Sequence, residues 1–70
     1  MIDLSDFTQA ELRVFRASSE YYSVAEVADA CGYAYRTVLN MMPKIYVKLG
    51  AKNFTEVVAI SVKYYGVTEW

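Results

Sequence analysis

The strongest pattern of apolar and polar positions lies between Tyr35 and Gly50. Val38, Met42, Ile45 and Leu49 recur there at steps of four, three and four. That spacing gathers them on one stripe of a helix facing a core. It predicts a helix over 35–49, ended by Gly50, because glycine adopts the left-handed stop without a Cβ penalty. Ala34, at the N-cap position, offers no side-chain acceptor. Pro43 falls inside the stripe; it has no amide hydrogen and crowds the carbonyl of Leu39. A kink is expected, with residues 35–42 re-aimed relative to the back half. The alternative is a helix that begins late, with Pro43 in its first turn. The unbroken stripe favours the kink.

Three further helices are announced by their starts. Thr8-Gln9-Ala10-Glu11 has the form of a capping box and opens a helix to about Ala17, with Leu12 and Phe15 inward and Arg13 and Arg16 outward. Ser23-Val24-Ala25-Glu26 repeats the form and opens a helix over 24–30, with Val24, Val27 and Ala28 inward. Gly32 is its expected stop, with Tyr33 packing beyond it. Asn53-Phe54-Thr55-Glu56 is a weaker third start, for a helix over 54–65 closed by Gly66. In that helix Val58, Ser61, Val62 and Tyr65 fit one stripe, and Ala59, Ile60, Lys63 and Tyr64 the next. Met1 to Phe7 is a lead-in anchored by Leu4 and Phe7, and Ser18 to Tyr22 a polar and aromatic connector. No repeat or β-hairpin signal interrupts this order. The expectation is one all-α domain over 1–70. Its second and third helices are joined by a short Gly-containing turn, the helix-turn-helix unit whose second helix can enter the DNA major groove.

Composition narrows the chemistry. There is one cysteine and no histidine among the 70 residues, so no internal disulfide can form and no zinc set is at hand. Cys31 is read as a small buried apolar residue at a helix end. No glycine-rich phosphate loop is present and the chain is short for a pocket. No enzyme, cofactor or small-molecule partner is therefore expected. With no leader and no long apolar run, neither a membrane partner nor a location outside the cytoplasm is expected. The net charge is −1, but residues 1–35 carry −4 and residues 36–63 carry +4. A basic half beside an acidic half suits a domain that turns one face to a polyanion.

The order FTQAELRVF, SVAEVADACGY, RTV and KIYVKLGAKNFTEVVAISVKYYGV resembles the LuxR/FixJ-type helix-turn-helix domain at its stand-alone size, from Phe7 to Val67. The KLGAKN-TE-VAI run is its most specific part, and sigma-factor region four, the nearest confusable family, lacks that tail. The resemblance implies a four-helix fold, DNA reading by the third helix and dimerisation through the fourth. It places Arg36, Thr37 and Asn40 near DNA, makes Lys44, Lys48 and Lys52 phosphate neighbours, and gives Ala59, Ile60, Lys63 and Tyr64 to the dimer interface. The chain departs from the family's pattern at Ala25, Ala34, Leu39, Met41 and Phe54. Family members commonly carry polar or basic residues there, and apolar side chains supply no phosphate contact.

Two functions fit this surface. The first is a small transcriptional regulator that binds double-stranded DNA as a dimer, with Arg36 suited to guanine, Asn40 to adenine, and Tyr35 and Leu39 to thymine methyl groups. The second is a protein-interaction module on the same scaffold. It would bind or co-dimerise with a larger regulator of the family and inhibit it, using an apolar patch of Tyr35, Leu39, Met41 and Phe54. With no sensing domain attached, control is expected through abundance or a partner.

Overall fold

The computed structural model describes residues 4–66. Readings that touch residues 1–3 and 67–70, including Asp3, Val67 and Glu69, lie outside the described residues. A 3-10 turn at Leu4–Asp6 leads into α1 (Gln9–Ala17), α2 (Val24–Cys31), α3 (Tyr35–Leu49) and α4 (Phe54–Tyr65). The described residues thus form an all-α, four-helix arrangement without strands.

Local chemistry fixes the starts. At α1 the full box forms: the Glu11 amide donates to the Thr8 hydroxyl at 3.1 Å, and the Thr8 amide to Glu11 Oε1 at 2.9 Å. At α2 only half of the expected box forms, the Glu26 amide donating to Ser23 Oγ at 3.1 Å. At α4 the Glu56 amide donates to Asn53 Oδ1 at 2.9 Å, while the Glu56 carboxylate reaches one residue further back, to the Lys52 amide at 2.7 Å. Ala34 has the extended cap backbone, φ −66° and ψ 148°, but caps nothing with its side chain. Gly32 and Gly50 stop α2 and α3 at φ +74° and +71°, the left-handed region a side chain resists.

α3 runs through Pro43 as one helix, so the late-start alternative does not hold. Its neighbours at this turn, Leu39, Asn40 and Lys44, are exposed. Water can there hydrogen-bond the carbonyl that Pro43 leaves without an amide.

Val38, Met42 and Ile45 bury the α3 stripe against Phe7, Val14 and Phe15, Val27 and Ala28, and Val57. Two of these correct the sequence reading. Val14 is fully buried beside Phe15, and Leu12 only half. In α4 the buried positions are Val57 and Ser61, so the inward face lies between the two stripes expected. The connector after α1 also begins inside: Ser18 and Ser19 are buried, their hydroxyls donating to the carbonyls of Val14 at 2.9 Å and Arg16 at 2.7 Å. Ser61 donates across the core to the Phe15 carbonyl, joining α4 to α1. A hydroxyl can sit in this core because a carbonyl receives it.

One ion pair closes the structure. Glu11 is buried, and Lys48 Nζ lies 2.5 Å from its Oε1 and 2.7 Å from the Asp6 carbonyl, over the ring of Phe7. Burial alone pushes the Glu11 carboxyl up. The Lys48 and Thr8 hydrogen bonds, with the charges of Lys48 and Lys44, outweigh it and hold the pKa below the ordinary 4.5. The pair fastens the start of α1 to the end of α3.

Candidate functional site

The outward side of α3 is built from two adjacent rows at four-residue spacing, the spacing that stacks side chains along a helix. Tyr35, Leu39, Pro43 and Val47 form one row and are all exposed. Val47 is 82% exposed, Tyr35 53% and Leu39 39%. Arg36, Asn40, Lys44 and Lys48 form the second row, also exposed. An apolar ridge therefore runs beside a polar, basic one for about 18 Å, twelve residues at the helical rise of ~1.5 Å. The sequence reading found the front of the ridge, Tyr35 and Leu39, but missed Pro43 and Val47. Extending the four-residue register from Tyr35 would have found both.

The basic residues divide by what they already hold. Arg13 lies over the ring of Tyr33 at 5.8 Å and Arg16 over that of Tyr65 at 5.5 Å. Lys48 is committed to Glu11 and Asp6, which removes it from the set of ready phosphate contacts. The side chains of Arg36, Lys44, Lys52 and Lys63 have no hydrogen bond, ion pair or ring contact with the described residues. Three of these four lie on α3 or in the turn after it. Thr37 and Asn40 are exposed as well, beside Arg36.

Two residues expected on this face turn inward. Met41 and Phe54 are half-buried and pack against the core. An apolar residue at those positions extends the core, whereas Ala25, Ala34 and Leu39 are exposed apolar residues. On α4, Ala59 and Lys63 are exposed. Ile60 leans on the core, and the Tyr64 ring lies 5.9 Å from Phe15 and 5.1 Å from Tyr65. Of the four residues assigned to a dimer contact, Ala59, Lys63 and Tyr64 are thus exposed, Tyr64 while also packing on Phe15, and Ile60 is half-buried against the core.

Away from α3, a shallow groove between α1 and α2 is lined by Arg13, Arg16, Glu20, Tyr21 and Cys31. Burial pushes the Cys31 thiol up, against a smaller pull from Arg13, and its Sγ lies 3.6 Å from the Arg13 carbonyl. A raised thiol pKa makes a poor nucleophile. Among the described residues no His, Cys, Asp and Glu side chains gather in the numbers that would hold a metal ion. No helix there is long and apolar enough to cross a membrane. No protein-family model, curated protein or solved structure matches this chain.

Proposed function

We propose that the chain is a small LuxR/FixJ-type helix-turn-helix transcriptional regulator that binds double-stranded DNA through α3 and acts as a dimer. One observation carries this reading: the side chains of Arg36 and Lys44 on α3, with Asn40 on their row, and of Lys52 in the following turn are exposed and make no hydrogen bond, ion pair or ring contact with the described residues. Arg36 and Asn40 are one turn apart, which sets their side chains next to each other on one face of the helix. A guanidinium suits the acceptor edge of guanine and a carboxamide the paired donor and acceptor of adenine. Lys44 and Lys52 then meet phosphates, which position the helix without reading sequence. Titration of duplexes enriched from a random pool tests it. Affinity should fall steeply with salt. Arg36→Ala should cost about 1–3 kcal/mol and relax one base position. No binding at low salt by the folded protein removes the reading.

A second reading, a protein-interaction module that binds or co-dimerises with a larger regulator, is favoured by the unbroken ridge Tyr35–Leu39–Pro43–Val47. DNA offers apolar partners only as thymine methyl groups, and Val47 lies about 16 Å along the helix from Arg36, eleven residues on at ~1.5 Å each.

A further inference from the structure

We propose that the two rows of α3 together form a docking surface for an acidic amphipathic helix of a partner protein. The inference rests on the second reading above and names the partner's chemistry. The ridge of Tyr35, Leu39, Pro43 and Val47 supplies apolar contact. A shallow apolar depression lined by Pro43, Lys44, Val47 and Lys48 receives one anchoring side chain. Directly alongside, the Arg36 and Lys44 side chains are exposed and make no hydrogen bond or ion pair with any described residue, although the Lys44 charge acts at longer range on Glu11. A partner that covers the ridge must pass over those charges. An acidic row satisfies them, whereas a neutral or basic row leaves them desolvated or repelled. The surface lies on one continuous helix of 15 residues, which suits a helix laid along it with anchors at four-residue spacing. The same cations serve DNA in the first reading, so the docked helix and a duplex exclude one another.

The test uses the full chain and a synthetic helical peptide of about 16 residues. Leucines stand at every fourth position, glutamates on the adjoining row and alanines elsewhere. One control has lysine for glutamate; another has serine for leucine. The acidic peptide should bind, and each control should bind roughly tenfold more weakly or worse. Val47→Asp should weaken the acidic peptide roughly tenfold, with Leu39→Ser as a milder variant that keeps the ridge free of added charge. Circular dichroism checks that both variants stay folded. If the acidic and lysine peptides bind alike and both depend on Val47, the acidic assignment is overturned while the protein-docking reading stands. If no peptide binds, or binding ignores both substitutions, the inference and that reading fall together.

Discussion

Glu11 is the residue on which acid stability turns. Its folded-state pKa is depressed, so its contribution is present above the ordinary 4.5 and is lost as pH falls through the folded value. Glu11→Gln should cost about 1–3 kcal/mol at neutral pH, because Lys48 loses a charged acceptor. The gap between parent and variant, read from urea unfolding, should shrink as pH drops below about 4.5. A gap that is constant with pH would mean the carboxylate charge contributes nothing. Ser61 is the neutral counterpart: Ser61→Ala should cost about 1 kcal/mol by removing the donor to the Phe15 carbonyl. Neither contact was readable in the chain's pattern. Glu11 was legible as a cap, since its amide partner is three residues away. Its second partner, Lys48, is 37 residues off, and no local signal joins them. The same holds for Ser61, which sits in an α4 stripe as an ordinary polar interruption until Phe15 is brought beneath it.

At the scale of the element, α3 carries two local weaknesses, an uncapped start and an internal proline. Ala34 already has cap geometry, so Ala34→Ser should stabilise the protein by about 1 kcal/mol. Pro43→Ala should also raise the urea midpoint, since proline inside a helix costs up to ~3 kcal/mol. A midpoint unchanged or lowered by Pro43→Ala would mean the helix is built around the proline. Helix bounds were legible because caps and glycine stops act within a few residues. Both ends of α3 and of α4 fall where the pattern puts them, and α2 extends one residue further, to Cys31. The inward face of α4 was not legible, because Val57, Val58, Ile60 and Val62 are all apolar and periodicity cannot choose among them. Packing into the shared core chooses Val57. On α3 the stripe was unambiguous, and the exposed face followed as its complement. Its length was missed because Pro43 was read only as a breaker and Val47 not at all.

For the whole molecule, charge and association are the properties that matter to function. Four of the seven basic side chains are uncommitted within the described residues, and three of these belong to α3 and its following turn. The net charge of −1 therefore understates how much positive charge one face presents. A dimer through α4 is best tested where the surface is free. Ala59→Arg should give a folded monomer by sedimentation, whereas Ile60→Glu would damage the core that Ile60 leans on. If Ala59→Arg sediments like a dimeric parent, α4 is not the contact. The central proposal is that the outer face of α3 is where this protein binds double-stranded DNA. Amide chemical shifts of the labelled protein, followed as duplex from a random pool is added at low salt, test it most directly. The account predicts that shifts concentrate at Arg36, Thr37, Asn40, Lys44 and Lys52. Shifts confined to the Arg13 and Arg16 side of the molecule, or none at all, would contradict it.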